Sequence, residues 1–191
     1  MNSTTPPASR RSRIILLHGA SSSGKSTLAK AIQRELDEPF LHFGSDFLSP
    51  GLPERREKTG PFQWWGHLRP RFFDGFHRCI ASLALSGNDL IVDHIIEFPE
   101  WRRELAELLR PFDVFLVGVH CSLEELERRE RVRGDRYIGE ARSHIVEDGI
   151  HTFGPYDCDV DTTEREPAAG AAEIVERWRV RGASVLFGPD L

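Results

Sequence analysis

Residues 18–27 of this sequence read HGASSSGKST and contain two glycines, three consecutive serines and a lysine. Gly19, Gly24, Lys25 and Ser26 have the GxxxxGK[ST] spacing of a phosphate-binding loop, the P-loop. Glycines let the backbone pass close to phosphate oxygens, and the amino end of a following helix offers unpaired N–H groups with a partial positive charge. In such a loop the lysine contacts the β- and γ-phosphates, and the hydroxyl next to it binds magnesium. The stretch therefore predicts a nucleoside triphosphate site, where the alternative is a serine-rich turn that only caps a helix.

We expect the whole loop to contact ATP, with Lys25 also acting in phosphoryl transfer and Ser26 also binding Mg²⁺. The loop residues in this predicted nucleotide site are Gly19, Ala20, Ser21, Ser22, Ser23, Gly24, Lys25, Ser26 and Thr27.

Two aspartates lie where predicted strands end. Asp46 follows the run FLHFG at 40–44, and Asp93 follows the run LIV at 90–92. In an open parallel sheet, ligands bind beyond the carboxyl ends of the strands. Asp93 has the position of a carboxylate that holds Mg²⁺, which leaves Asp46 to accept a proton from an attacking hydroxyl. Either residue could instead be a helix N-cap or a turn residue, since aspartate favours both positions.

The stretch ERRERVRGDR holds five arginines in ten residues. Arg128 and Arg131 are typical of a solvated helix face that is paired with glutamates. Arg129 and Arg133 are four residues apart on one face, directly before a Gly-Asp-Arg turn that indicates the start of a mobile lid. Arginines in a lid could neutralise the equatorial oxygens of a phosphoryl group in transfer. We therefore expect Arg129 to contact the nucleotide.

The elements that must position these residues alternate between β-rich runs and helical stretches. Several strands are nearly continuous apolar runs, as expected for strands buried on both faces of a parallel sheet. The alternation predicts an α/β fold with three layers, the P-loop NTPase fold: a parallel five-stranded sheet, helices on both faces and a small lid. A further region, 49–69, is rich in proline and glycine and is predicted to be a long loop or broken helix. The predicted strands are 14–17, 40–43, 89–93, 113–119 and 157–161, and the predicted helices are 25–36, 70–85, 100–109, 122–133 and 167–181.

Composition excludes several classes of function. The net charge of −5 over 191 residues argues against nucleic-acid binding through a broadly basic surface. The longest apolar runs are far shorter than the roughly 20 residues that span a bilayer, so no membrane partner is expected. Three widely spaced cysteines without a CxxC pair predict neither disulfides nor a zinc site, and we expect buried thiols in a cytoplasmic protein. The oligomeric state cannot be predicted from these features.

From about residue 13 to residue 178 the chain resembles the chloramphenicol 3-O-phosphotransferases of the P-loop kinase superfamily. The RGDR and VDTT blocks in this order are more specific than the loop, which many ATPases share. Where the family usually has a second aspartate after the one at 93, this chain has His94. The resemblance rests on the loop, on Phe43-Gly44-x-Asp46, on the strand that ends at Asp93, on Val117-Gly-Val119-x-Cys121, on Arg133-Gly134-Asp135-Arg136, and on His151 followed by Tyr156-Asp157-x-x-Val160-Asp161-Thr162-Thr163.

The resemblance implies a fold like that of adenylate and shikimate kinases, ATP as the phosphoryl donor and Asp46 as the general base. By the same comparison, Arg133 and Arg136 are lid arginines that act in transfer. We expect a disordered tail at 1–12 and a single kinase domain at 13–191, with a substrate-facing insertion at about 47–75 and a lid at about 133–152.

The leading hypothesis is a kinase that phosphorylates a small-molecule alcohol, with chloramphenicol as the first acceptor to test and antibiotic resistance as the consequence. A kinase of a sugar or nucleotide-sugar and a nucleotide-binding switch are the alternatives. The arginine-rich lid favours a kinase, since it would shield the transfer from water. An aromatic group could form an apolar acceptor pocket, although its last three members are more typical of helix packing on a sheet: Phe62, Trp64, Trp65, Phe72, Phe73 and Phe76.

Overall fold

In the computed structural model, which describes residues 10–52, 65–133 and 139–188, five parallel strands form one sheet. The strand order is β2-β3-β1-β4-β5, so β1 lies at the centre with β3 and β4 on either side. The direction of the strand order changes at β1, which makes its carboxyl end the expected ligand-binding point of such a sheet. The strands are β1 (Arg13–His18), β2 (Phe40–Gly44), β3 (Asp89–His94), β4 (Asp113–His120) and β5 (Cys158–Asp161).

Six α-helices cover the sheet in the described residues, and they are joined by shorter turns. The helices are α1 (Lys25–Glu35), α2 (Trp65–Leu85), α3 (Pro99–Leu109), α4 (Leu123–Arg133), α5 (Glu140–Arg142) and α6 (Pro167–Arg179). The turns are 3₁₀ helices at Ser45–Phe47, Ser49–Gly51, Ile150–Thr152 and Val185–Phe187, and a π-helical turn at Ser143–Glu147.

Side chains of β1 alternate between two apolar cores because successive residues of a strand point to opposite faces. Ile15 and Leu17 pack in a core with residues of α1 and α6. Ile14 and Leu16 pack in the other core, with residues of α2 and α3. The predicted three-layer α/β fold with a five-stranded parallel sheet is confirmed.

The predicted strands agree with the observed ones to within one residue at each end, but the predicted start of the second helix is wrong. Residues 65–69 are helical, and Pro70 lies inside α2 instead of beginning it. The missing N–H of Pro70 removes only the bond to the carbonyl of Gly66 near the start of the helix, so the helix continues through it. Residues 53–64 lie outside the described part of the chain, and the insertion at 47–75 stays a prediction.

The described part of the predicted lid, residues 139–152, packs on the loop that follows β1. Ala141 and Ile150 form a small apolar cluster with Ala20 and Leu126. This packing places the segment beside the phosphate loop, while the boundaries of a lid at 133–152 stay a prediction.

No helix in the described ranges is long and apolar enough to cross a membrane. Cys79, Cys121 and Cys158 are free thiols, and of these only Cys158 is fully buried. The expectation of buried thiols is therefore correct for one cysteine and wrong for the other two, which are partly exposed.

Candidate active site

A cleft of about 540 Å³ opens at the carboxyl end of the sheet. Most of the predicted site residues line it: Ser22, Gly24, Lys25, Ser26, Thr27, Asp46, Asp93, Arg129 and Arg133. The other loop residues in the predicted nucleotide site are buried and do not line the cleft: Gly19, Ala20, Ser21 and Ser23. Arg136 lies outside the described residues.

The backbone of the phosphate loop turns sharply before α1. Ser22 and Gly24 have φ angles of 63° and 90°, in the left-handed region that glycine adopts most easily. Gly24 is the N-cap of α1 and has no side chain with which to cap it. Because the first N–H groups of a helix need acceptors, an anion such as a phosphate can satisfy them here.

Glycine is required at position 19 because of close packing, and not because of a left-handed backbone conformation. A Cβ atom at this position would clash with the carbonyl oxygen of Val119 in β4 and with the hydroxyl of Ser23. The first glycine of the motif therefore positions the loop against the sheet.

The Lys25 side chain folds back across the loop and is only 9% exposed. Its Nζ donates to the carbonyl oxygens of Gly19 at 2.9 Å and Ala20 at 2.7 Å. Phosphate oxygens carry charge and bind an ammonium group more strongly than neutral carbonyls do. The lysine is therefore held at the loop and can exchange these acceptors for phosphate oxygens.

Asp93 is the second-last residue of β3, and its side chain lies beside the start of α1. Burial raises the pKa of this carboxyl group, but hydrogen bonds from His42 and Ser26 and the charge of Lys25 outweigh burial and lower it. The His42 Nε2 atom lies 3.0 Å from Asp93 Oδ2. An ionised carboxylate next to a serine hydroxyl is a donor set that suits Mg²⁺ in phosphate-binding loops. The predicted metal ligands Ser26 and Asp93 therefore meet, and sequence reasoning missed His42, whose ring contacts the same carboxylate.

Gly44 makes room for the Asp93 side chain. It pairs with Asp93 in the parallel register between β2 and β3, and a Cβ atom at position 44 would clash with Asp93 Oδ1. The backbone of Gly44 is extended, so its conformation suits any residue and only the close approach requires glycine. Gly44 thus fixes where the carboxylate lies.

Asp46 lies in the 3₁₀ turn Ser45–Phe47, which begins directly after β2. The N-cap of this turn is Gly44, so Asp46 is not a cap. Its side chain is exposed and lines the cleft. The position is compatible with a group that meets substrate, and the general-base role stays a prediction.

Arg129 connects three elements around the cleft. Its guanidinium donates to Glu125 at 2.8 Å, to the carbonyl oxygen of Thr162 at 2.6 Å and to that of Ser22 at 3.4 Å. The Thr162 hydroxyl in turn lies 2.7 Å from the carbonyl oxygen of Ser23. These contacts hold α4, the segment after β5 and the phosphate loop together at the predicted nucleotide site.

The other arginines of α4 divide as the sequence indicates. Arg128 pairs with Glu125, and Arg131 lies 3.9 Å from Glu127, both on the exposed face. Arg133 ends α4 and lines the cleft. The interpretation of Arg128 and Arg131 as a solvated, paired face is confirmed.

Glu130 has a role that the sequence did not reveal. It is only 2% exposed, and its carboxylate accepts the backbone N–H groups of Gly139 at 3.0 Å and Ala141 at 2.7 Å. Within a run of alternating charges it looks like one more solvated residue. The only local signal is its spacing of four from the buried Leu126, which puts both on one helix face.

The segment that Glu130 holds also contacts the phosphate loop. The Ser21 hydroxyl donates to Glu140 at 3.0 Å, and the Ser21 N–H donates to His144 Nδ1 at 3.4 Å. Burial lowers the pKa of His144 to about 4, so its ring is neutral and can accept this bond at neutral pH. Ser21 therefore connects the loop to the segment after α4.

The aromatic group divides between the core and the part of the chain that is not described. Phe73 and Phe76 are buried in the core, and Phe72 packs against it, which confirms helix packing for these three. Phe62, Trp64 and the side chain of Trp65 lie outside the described part of the chain. An apolar acceptor pocket formed by the tryptophans therefore stays a prediction.

Comparisons with known proteins agree with this geometry. A family model described as chloramphenicol phosphotransferase-like protein matches residues 12–179. Two curated relatives, from two strains of Mycobacterium tuberculosis and both provisionally named O-phosphotransferases, are each 31% identical over 190 residues, covering 87% of this chain and 82% of their own.

Several solved structures share the fold, and two of the three described here are kinases. An APS kinase of Mycobacterium tuberculosis in complex with AMPPNP and APS has a TM-score of 0.63 at 18% identity and covers 90% of this chain and 99% of its own. A tunicamycin resistance protein of Deinococcus radiodurans has a TM-score of 0.63 at 18% identity, covering 91% and 98%. A shikimate kinase of Acinetobacter baumannii in complex with shikimate has a TM-score of 0.61 at 14% identity, covering 87% and 93%. At such low identities these likenesses show the fold alone.

Proposed function

We propose that this chain, which belongs to the chloramphenicol phosphotransferase-like family, transfers the γ-phosphate of ATP to a hydroxyl group of a small molecule. Its class, a phosphotransferase with an alcohol group as acceptor, follows from the family and its relatives. The donor, the metal ion and the acceptor are our proposal. The observation that supports it most strongly is the presence of Lys25, Asp46, Asp93 and Arg133 in one cleft.

The phosphate loop and its surroundings would bind the donor. Lys25 contacts the β- and γ-phosphates, and the uncapped start of α1 binds their oxygens. Arg129 contacts the nucleotide from α4. Ser26 and Asp93 would hold Mg²⁺, which supplies positive charge to the phosphate oxygens.

Asp46 would take the proton of the acceptor. As the acceptor oxygen bonds to the γ-phosphorus, its proton passes to the Asp46 carboxylate, and the bond from that phosphorus to the bridging oxygen of ADP breaks. Arg133 and Arg136 neutralise the charge on the equatorial oxygens of the transferred group. The products are ADP and a phosphate monoester.

The first acceptor to test is chloramphenicol, on the strength of the family resemblance, with antibiotic resistance as its biological meaning. Sugars and nucleotide-sugars are the second group of acceptors, and a nucleotide-binding switch is the alternative from another class. ADP release should be measured with ATP and magnesium in the presence of each acceptor, and the product identified by mass spectrometry. A kinase releases ADP in step with phosphorylated acceptor. ADP release that no alcohol stimulates, or that only a protein stimulates, would contradict the proposal.

Gly44→Ala is expected to weaken the magnesium site without unfolding the protein. The added methyl group clashes with the Asp93 carboxylate, which must move from its place beside Ser26 and His42. We expect the magnesium concentration for half-maximal rate to rise about 10- to 100-fold, the range typical of changes to groups that orient a metal ligand.

The matched control is Gly51→Ala, because a Cβ atom at position 51 meets no atom within 4 Å. Both variants should be compared by magnesium titration at saturating ATP and by melting temperature. If the magnesium requirement of Gly44→Ala is unchanged and the fold is intact, the assignment of Asp93 as a metal ligand is wrong.

A further inference from the structure

Backbone strain in the phosphate loop is supported by contacts from outside the loop. Ser22 has a φ angle of 63°, and it is the only residue other than glycine with a positive φ in the described ranges. A residue with a Cβ atom adopts this conformation at a cost, so it persists only where surrounding contacts hold the backbone. Arg129 of α4 supplies one such contact, since its guanidinium donates to the Ser22 carbonyl oxygen at 3.4 Å. The Thr162 hydroxyl holds the next residue, Ser23, through its carbonyl oxygen at 2.7 Å.

The preceding residue, Ser21, is held by the segment 139–148. Its hydroxyl donates to Glu140 at 3.0 Å, and its backbone N–H donates to His144 Nδ1 at 3.4 Å. Ala141 of the segment also packs in a small apolar cluster with Ala20 of the loop. The conformation of the loop at Ser21 therefore depends on where this segment lies.

Glu130 of α4 fixes the start of the segment. Its carboxylate accepts the N–H groups of Gly139 at 3.0 Å and Ala141 at 2.7 Å. Gly139 is the N-cap of α5 and has no side chain with which to cap it, so Glu130 supplies from another helix the acceptor that a capping side chain usually supplies. Glu130 is only 2% exposed, and these bonds help to offset the cost of burying its charge. They therefore tie the position of the segment to α4.

Two routes thus lead from α4 to the phosphate loop. Arg129 reaches Ser22 directly, whereas its neighbour Glu130 reaches Ser21 through the segment 139–148. Glu130 is buried and is not among the residues that line the cleft, so it acts on a bound nucleotide only through other residues. A loop that is held in place before its ligand arrives loses less conformational freedom on binding, and this raises the affinity.

We propose that Glu130 is a positioning residue for the nucleotide: it holds the segment 139–148 against Ser21 and so keeps the phosphate loop in the conformation that binds ATP. This inference rests on the proposed function, in which ATP is the donor, and adds to it a residue outside the cleft. Because coupling between two events is reciprocal, bound ATP in turn holds the segment more firmly. Once ATP is bound, the rate of transfer depends little on Glu130.

Glu130→Gln is the first test. The amide keeps one oxygen acceptor, but its NH₂ group cannot accept the second backbone N–H. Fewer molecules then have the segment in place, and the apparent affinity falls with that fraction. At a temperature where melting curves show each variant folded, we expect ATP with magnesium to bind about tenfold more weakly by calorimetry, and the KM for ATP to rise equally, while kcat at saturating ATP stays within about twofold. Glu124→Gln, the matched control at an exposed position of the same helix, should leave all three unchanged.

A double-mutant cycle tests whether Glu130 acts through Ser21. Ser21→Ala removes the hydroxyl that binds Glu140 and should itself weaken ATP binding. In that background Glu130→Gln is expected to cost no more than about threefold in affinity, since the effects of residues that act through one contact are not additive. A tenfold loss in both backgrounds would overturn the route through Ser21. If Glu130→Gln does not fold, Glu140→Ala takes its place in the same cycle with the same expected result.

Amide hydrogen exchange measures the segment itself. The N–H groups of Gly139 and Ala141 should exchange faster in Glu130→Gln than in wild type, because one of their acceptors is lost. ATP should slow their exchange in the variant by about tenfold, the same factor by which the segment raises ATP affinity. Exchange that bound ATP leaves unchanged would overturn the coupling.

The role of Glu130 and the proposed function fail in different ways. If wild type and Glu130→Gln bind ATP equally well, the role of Glu130 is wrong and the kinase stands. If the affinities differ as expected but no alcohol is phosphorylated, the proposed reaction is wrong and the role of Glu130 in nucleotide binding stands. A wild-type protein that binds no ATP would contradict the proposed donor, and the role of Glu130 with it.

Discussion

Lys25→Ala is expected to abolish phosphoryl transfer while the fold survives. The ammonium group lies at the centre of the phosphate loop, where it is the cation that meets the β- and γ-phosphates in the proposed complex. Loss of a charge placed for the transition state typically costs on the order of 10³ in rate or more, and this lysine also contacts the ground-state phosphates. Product formation and ATP affinity should both be measured, by mass spectrometry and calorimetry.

The structural cost of this change is small. It removes the bonds to the carbonyl oxygens of Gly19 and Ala20, about 1 kcal/mol each, and little apolar contact. Lys30→Ala provides the matched control, since Lys30 is an exposed lysine of the same helix that also lines the cleft. It should lower the rate much less. Normal turnover in Lys25→Ala would refute the phosphate-binding role of the loop.

Asp46→Asn is expected to lower kcat by about 10² to 10⁴ with little change in ATP affinity. Asparagine keeps the size of the side chain and much of its hydrogen bonding but cannot take the acceptor proton. The structure makes this test cleaner, because Asp46 is exposed in the cleft and is not the cap of its turn. The measurement is kcat with the best acceptor from the screen, alongside ATP affinity at several magnesium concentrations.

Asp93→Asn is the comparison that separates a base from a metal ligand. Its defect should depend on magnesium concentration, whereas that of Asp46→Asn should not. A defect in Asp46→Asn that magnesium relieves would assign Asp46 to the metal site. Near-wild-type kcat in Asp46→Asn would end the base assignment and make Asp93 the next candidate.

The sequence alone was sufficient for the fold and for most of the cleft. The β-rich runs predicted each strand to within one residue, and three of them, β1, β3 and β4, are nearly continuous apolar runs because a strand buried on both faces of a parallel sheet is apolar along its length. Asp46 and Asp93 were placed correctly at the cleft, because the carboxyl ends of parallel strands meet at one edge. Both results depend on local pattern and on a general rule of topology.

Local sequence patterns gave the wrong environment for two residues, Pro70 and Glu130. Pro70 suggested a helix start, although the helix begins at Trp65. Glu130 looked solvated in a run of charges, although it is buried and its carboxylate accepts hydrogen bonds from the N–H groups of Gly139 and Ala141. Neither environment can be deduced from the periodicity of the neighbouring residues.

Side-chain partners across the sheet were decided by tertiary structure alone. The order β2-β3-β1 puts Gly44 against Asp93 and brings His42 to the same carboxylate. The packing of α2 and α3 on the other face brings Glu104 and His77 to His94. Sequence periodicity tells which face of an element is buried, but strand order and helix packing determine which residues meet there. The chemistry of the phosphate loop could therefore be predicted from the sequence, whereas the surroundings that tune Asp93 could be found only in the folded chain.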